Sequence, residues 1–145
     1  MENQIEILLH GGQYKQLVEN RICKIREKYG LRKVDIEVLH YLSKCGDKNT
    51  SKDIHAVTKL TKGHISQSVD HMQKMNLLVF IPDEKDRRCV HFVLTEDADK
   101  LVQEIRGIWV ELHKIIFEGV TEEEKQTLAR VAFKMEKNME KALRV

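Results

Sequence analysis

Polar side chains suited to hydrogen bonding are concentrated at the start of a predicted helix in the middle of the chain. Lys62 and Gly63 stand in its first turn, where unpaired backbone N–H groups and the helix dipole favour a phosphate, and glycine permits close approach. His64, Ser66 and Gln67 follow, and such side chains can hydrogen-bond to base edges, as Gln does with adenine. This set predicts contact with duplex DNA. A solvated polar face is the alternative.

A second charged cluster occupies residues 83–88, which read Asp-Glu-Lys-Asp-Arg-Arg. A short apolar run at residues 77–81 precedes it and ends at Pro82, and residues 90–94 alternate as in a half-buried strand. This pattern predicts a β-hairpin with a polar tip. Its arginines could serve a narrow, electronegative minor groove or the phosphate backbone. A surface loop with an ordinary salt bridge is the alternative.

The helix that carries the first cluster has clear start and stop signals. Thr61 is placed to cap it, Asn76 tolerates the left-handed conformation that ends helices, and Ile65 and Val69 open an apolar face that continues through Met72 and Met75. The polar residues away from that face are predicted to be exposed: Lys62, His64, Ser66, Gln67, Asp70 and His71.

A shorter helix is predicted just before it. Thr50-Ser51-Lys52-Asp53 has the spacing of a capping box, and Thr50, Ser51 and Lys52 could touch phosphates from that helix. Two helices with a tight connection, followed by a hairpin, form the layout of a winged helix-turn-helix.

These motifs resemble the MarR-type transcriptional regulators. The resemblance rests on HISQSVDHMQKMNLL, DEKDRR and FVLT in that order, and it spans most of the chain at the level of element order. Asp86-Arg87-Arg88 resembles the D-x-R motif of the family's wing, and Leu94-Thr95 resembles the start of its next helix. Asn76 and Ala98 stand where glycine is common in the family, but both fit sterically.

The resemblance implies a mainly α fold with a small β-hairpin wing, in which the first and last helices form a homodimer. It implies a sequence-specific regulator that binds a pseudo-palindromic duplex; we expect a repressor, but activators of the family share the same motifs. Asp86 would hold Arg88 by a charge-assisted bond, with Lys85 and Arg87 nearer phosphate. A single domain of 145 residues would contain a DNA-binding lobe at about 31–95 and dimerisation helices at about 1–30 and 96–145.

Apolar residues at helical spacing support terminal helices. They recur from Tyr14 to Tyr29 and, after the capping box of Thr121 and Glu124, from Leu128 to Leu143. Residues 5–9 are also apolar, and the Gly11-Gly12 pair should weaken or bend a helix there. An ordinary helix packed on its own core is the alternative to a dimer interface.

A small-molecule effector is a further implication of the resemblance, because many MarR-type repressors bind a ligand between the dimerisation helices and the DNA-binding lobe. The candidate lining residues are Tyr14, His40, Tyr41 and Trp109. Aromatic residues at helical spacing more often belong to a core or an interface.

Composition limits the other classes. A net charge of +2 hides a basic stretch between Tyr14 and Lys33, and no apolar run reaches the ~20 residues that span a bilayer, so we expect a cytoplasmic protein without a membrane partner. No catalytic or metal-ligand motif occurs, and the seven histidines are scattered, so neither an enzyme nor a cofactor is expected. A helical protein-interaction module remains the main competitor.

The three cysteines, Cys23, Cys45 and Cys89, form no C-x-x-C pair. Small, partly buried thiols are the simplest interpretation. Because some MarR relatives respond to oxidants through a cysteine, a redox-responsive regulator is an alternative, as is a metal-responsive one. Cys23 is the best redox candidate, since Arg21, Lys24 and Arg26 surround it.

Overall fold

The computed structural model describes residues 12–144, and these residues are mainly helical with one antiparallel hairpin. The predicted fold class is thereby confirmed. Gly11 and residues 5–9 lie outside the described part of the chain. In chain order, the elements are α1 (Gly12–Tyr29), α2 (Lys33–Leu42), α3 (Ser51–Thr58), α4 (Lys62–Lys74), β1 (Leu78–Pro82), β2 (Val90–Leu94), a 3₁₀ helix (Glu96–Ala98), α5 (Asp99–Ile116) and α6 (Glu122–Leu143).

Side-chain caps define where three of the helices begin. Thr50 Oγ1 accepts from Asp53 N at 3.3 Å while the Asp53 carboxylate accepts from Thr50 N at 3.2 Å, which is the predicted capping box of α3. Thr121 and Glu124 form the same reciprocal pair at α6. Thr61 Oγ1 accepts from His64 N at 3.1 Å and so starts α4. Each cap satisfies backbone donors that would otherwise lack a partner, an effect of about 1 kcal/mol.

The chain divides into two compact units. Residues 21–110 form the central unit, and the remaining described residues, 12–20 and 111–144, form the terminal unit. In the central unit, α2, α3 and α4 pack against one another, and β1 packs against α4. Their core contains fully buried side chains from each of these elements, namely Ile36, Leu39, Ile54, Ile65, Met72 and Leu78.

The hairpin follows α4 after a short turn. Asn76 has a φ of 59°, so it takes the left-handed conformation predicted for the end of that helix. Leu78 pairs with Leu94 and Phe80 with Phe92, and the last two rings meet edge to face at 5.1 Å. Phe92 is buried, as its alternating pattern predicted, while its neighbour Val93 is exposed.

β1 extends to Pro82, which occupies its last position, so proline closes the strand without interrupting the ladder. Across residues 12–144, no helix has the length and apolar character needed to cross a bilayer.

Candidate nucleic-acid interface

The first two turns of α4 present one polar and one apolar side. Ile65, Val69 and Met72 are buried in the central core, with exposures of 0, 3 and 0%. The opposite side is exposed from the cap onward, and it contains every residue predicted to read DNA from this helix: Thr61, Lys62, His64, Ser66 and Gln67, together with the exposed backbone of Gly63.

Gly63 is not required by the local fold. A Cβ at this position would come no closer than 3.9 Å to its nearest contact, Thr61 Oγ1, and its φ is not positive. The Thr61 cap already occupies the N–H of His64, but the missing side chain leaves the exposed backbone at Gly63 itself unobstructed. A phosphate or another anion can therefore approach the N-terminus of α4 closely.

The far end of α4 is anchored by a buried carboxylate that the sequence analysis did not single out. Asp35, in the first turn of α2, is completely buried. Its carboxylate accepts hydrogen bonds from Ser68 Oγ at 2.7 Å and from Arg32 N at 2.9 Å, and it lies 3.0 Å from His71 Nδ1. The prediction that His71 would be exposed is therefore wrong, because its imidazole is half-buried against Asp35.

The electrostatics of Asp35 favour its ionised form. Burial raises the pKa of this carboxyl, but hydrogen bonds from Ser68, Arg32 and His71 outweigh burial and lower the pKa below 3.8. In the sequence, Asp35 stands between the apolar residues Val34 and Ile36. It also lies three positions after Arg32, whose backbone N–H donates to its carboxylate. Spacing alone could not identify its partners on α4.

The hairpin tip is ordered by hydrogen bonds from its own backbone. Asp83 Oδ2 accepts from the N–H groups of Lys85 and Asp86, at 3.1 and 3.0 Å. Asp86 Oδ1 accepts from Arg88 N at 3.1 Å, and Cys89 N donates to Asp86 O at 2.9 Å. Residues 84–88 are all exposed.

The implied contact between Asp86 and Arg88 takes a different form from the expected one. Asp86 bonds to the backbone N–H of Arg88, and within the described chain no ion pair joins its carboxylate to the guanidinium. The sequence pattern cannot tell whether the Asp86 carboxylate bonds to the backbone N–H of Arg88 or to its guanidinium. As a consequence, the guanidinium groups of Arg87 and Arg88 extend from the tip into solvent.

The start of α3 provides a third set of candidates. Lys52 is exposed, whereas Thr50 and Ser51 are half-buried. The Thr50 hydroxyl donates to Asp53 Oδ2 at 2.8 Å, so it is already engaged within the capping box. Lys52 is therefore the side chain of this set best placed to extend outward.

Three of the four aromatic candidates for an effector site, His40, Tyr41 and Trp109, lie in the central unit. His40 and Trp109 stack with their ring centroids 4.5 Å apart and their planes 26° apart. The Tyr41 hydroxyl instead donates to Lys48 O at 2.7 Å. Tyr14 is half-buried in the terminal unit. Within the central unit, the structure thus brings His40 and Trp109 together and directs the Tyr41 hydroxyl to a backbone carbonyl.

The cysteines and the possible metal ligands show no organised site in the described residues. Cys23, Cys45 and Cys89 are partly buried, and none of them forms a disulfide within the described residues. Burial raises the pKa of the Cys45 thiol, which disfavours the reactive thiolate there. Within residues 12–144, no three His, Cys, Asp or Glu side chains gather into a group that could hold a metal ion.

Comparisons with known proteins match this geometry. A family model described as a winged helix DNA-binding domain matches residues 31–98. The transcriptional regulator PA3341 superimposes with a TM-score of 0.80 and 20% identity, covering 94% of this chain and 97% of that one. A MarR family regulator from Silicibacter pomeroyi gives a TM-score of 0.72 and 19% identity, with coverages of 88% and 82%.

A third similar structure is a complex of S. aureus MepR with DNA. Its TM-score is 0.70 at 21% identity, and the alignment covers 92% of this chain and 94% of that one. The fold and the matching domain define the class, which is that of proteins with a winged helix DNA-binding domain. Within this class the chain has the fold of the MarR-type regulators, so the resemblance indicated by its motifs is confirmed.

Proposed function

We propose that this protein is a homodimeric repressor that binds a pseudo-palindromic DNA operator. The observation that carries the proposal is the joint exposure of two surfaces in one unit. One is the polar first part of α4, from Thr61 to Gln67, and the other is the tip formed by residues 84–88. A helix with such a surface fits the major groove, and a hairpin tip beside it fits the flanking backbone or minor groove.

The proposed roles follow from side-chain chemistry. His64, Ser66 and Gln67 would contact base edges, because they combine donors and acceptors at medium reach. Lys62 and the open backbone at Gly63 would bind phosphate. Three cations further from the start of α4 would add phosphate contacts, namely Lys52, Lys85 and Arg87. Arg88 would enter the minor groove.

A second copy of this chain is the proposed partner of α6. Along this helix, Val131, Met135, Met139 and Leu143 recur every four residues and expose 45, 46, 50 and 86% of their surface. A continuous apolar stripe of this kind is typical of an interaction surface, and closed two-fold dimers are the commonest soluble oligomers. Two recognition helices related by a two-fold axis would reach half-sites about 34–36 Å apart.

Repression would be steric, because an occupied operator excludes the transcription machinery. No catalytic step is part of this mechanism. An effector that changes the separation of the two recognition helices would release the DNA. Of the four aromatic candidates, the stacked pair of His40 and Trp109 is the best starting point for that search, since its rings are already in contact.

Selection of duplexes from a random library by the purified protein tests the proposal. We expect an enriched pseudo-palindrome whose affinity falls steeply as salt rises, because phosphate neutralisation releases counterions. Gln67→Ala is the informative variant, since it should relax the preference at one base position in each half-site. Failure of the wild-type dimer to enrich any sequence would contradict operator binding, and the interaction-module hypothesis would then be preferred.

A further inference from the structure

A polar relay at the base of the wing connects two parts of the central unit. His91 lies on β2, with its Nδ1 atom 2.6 Å from Asn49 Oδ1 and its Nε2 atom 2.7 Å from Asp83 Oδ1. Asn49 immediately precedes Thr50, the N-cap of α3, whereas Asp83 begins the hairpin tip. One imidazole therefore bridges the helix-turn-helix and the wing: a protonated ring donates to both oxygens, whereas a neutral ring donates from Nε2 to Asp83 and accepts at Nδ1 when the Asn49 amide turns its nitrogen toward it.

Backbone contacts reinforce the same junction. Phe92 N donates to Asn49 O at 2.9 Å, and Thr50 and His91 form an isolated antiparallel bridge. The loop before α3 thus extends the edge of the hairpin by a short third segment. This backbone link sets the distance between loop and strand, and the side chain of His91 adds the connection to the tip.

Asp83 links His91 to the backbone of the hairpin tip. One carboxylate oxygen faces His91, and the other accepts from the N–H groups of Lys85 and Asp86. The hydrogen bond from His91 is the main cause of the lowered pKa of Asp83, and the two backbone bonds add to it. The carboxylate therefore stays ionised at neutral pH and holds both the imidazole and the turn that presents Arg87 and Arg88.

We propose that His91 is a positioning residue for DNA binding, because it fixes the arginine-bearing tip relative to the start of α3. The inference rests on the proposed function and extends it to a residue that would not itself contact DNA. The side chains of His91 and Asp83 are 28 and 32% exposed, and the hairpin has its own hydrogen-bonded ladder and the buried Phe92. The relay is therefore dispensable for folding but sets where the tip lies.

Two variants separate the two halves of the relay. His91→Phe retains a ring but removes both polar contacts, so it should speed amide exchange at Lys85 and Asp86. It should also weaken binding to the duplex selected by the wild-type protein by about tenfold, as expected for the loss of one to two hydrogen bonds. Asn49→Ala removes only the connection to α3, and it should weaken binding while leaving amide exchange at the tip unchanged.

Rescue and a matched control distinguish positioning from general destabilisation. A Gln side chain at position 91 can place its amide nitrogen near Asp83, so His91→Gln should restore slow exchange at the tip and part of the affinity. Val93→Thr alters the same strand at an exposed position without touching the relay, and it should change neither measurement. Thermal unfolding of all four variants should stay close to that of the wild type.

The outcomes separate this inference from the function on which it rests. Unchanged affinity in both His91→Phe and Asn49→Ala, for a duplex that the wild type binds, would overturn the relay and leave the proposed function intact. If the amides of Lys85 and Asp86 already exchange fast in the wild type, the relay is overturned, and this measurement needs no DNA. The absence of an enriched duplex with the wild type would contradict the proposed function alone, since amide exchange still tests the relay.

Discussion

Ser68 on α4 donates a 2.7 Å hydrogen bond to the fully buried carboxylate of Asp35 on α2, 33 residues earlier in the chain. Apolar packing alone would allow α4 to rotate or slide, since dispersion contacts are not directional. A short hydrogen bond to a buried charge specifies one arrangement, because any shift would leave that charge without its donor. The orientation of the surface of α4 that we propose to face DNA is therefore set from inside the central unit.

Removal of this bond should lower stability by an amount that depends on which partner is lost. Ser68→Ala deletes one donor and should reduce the free energy of unfolding by about 1 kcal/mol. Asp35→Ala also leaves Ser68 and His71 without their acceptor and should cost about 3 kcal/mol. Urea unfolding measures both. Equal small losses in the two variants would show that Asp35 is not the centre of the network.

Stability should depend on pH through the same carboxylate. The pKa of Asp35 in the folded protein lies below its ordinary value of 3.8, so the unfolded state binds its proton first as pH falls. The stabilisation is fully present above that ordinary value and is lost as pH drops through the lower pKa of the folded state. Consequently, the difference in unfolding free energy between wild type and Asp35→Asn should be about 1 kcal/mol or more at pH 5 and should shrink below about pH 4.

Gly63 offers a test in which stability and binding change in opposite directions. Alanine is a better helix former, so Gly63→Ala should stabilise α4 by up to about 0.5 kcal/mol. Its added methyl group would obstruct the approach of a phosphate to the first turn and should weaken DNA binding. Thermal unfolding and operator titration on the same sample decide the matter. A variant that is more stable and binds equally well would remove Gly63 from the interface.

Arg88 should contribute to affinity without contributing to folding. Its side chain is exposed and its backbone N–H supplies the contact to Asp86, so Arg88→Ala leaves the turn intact. We expect operator affinity to fall by about tenfold, with a shallower dependence on salt and an unchanged melting temperature. Arg130→Ala, at an exposed site on α6, serves as the matched loss of charge. If the two variants lose affinity equally, the wing has no specific role.

The dimer interface can be tested on α6. Replacement of both Met135 and Met139 by lysine places two charges in the proposed contact with a second copy, so the protein should become monomeric at micromolar concentration. Light scattering after size-exclusion chromatography measures this directly. Gln126→Lys adds a charge at an exposed position on the opposite side of α6 from Met135 and Met139 and should leave the dimer unchanged. A dimer that survives the double substitution would place the interface elsewhere.

Local features of this protein were predictable because they depend on neighbours in sequence. The caps at Thr50, Thr61 and Thr121 require a residue three positions later, and the left-handed Asn76 requires only its own backbone. The amphipathic face of α4 and the alternation of β2 likewise follow from periods of 3.6 and 2 residues. These signals, in their order along the chain, were enough to predict the winged helix fold.

Only the tertiary structure decided the polar connections between elements. Asp35 meets Ser68 and His71 on α4, while His91 meets Asn49 across 42 residues. The partner of Asp86 also depended on the turn geometry, which directed its carboxylate to a backbone N–H. A sequence pattern records which side chains face inward, since burial follows periodicity. It does not record which buried polar groups meet, because their pairing depends on distances and angles that arise only when separate elements pack.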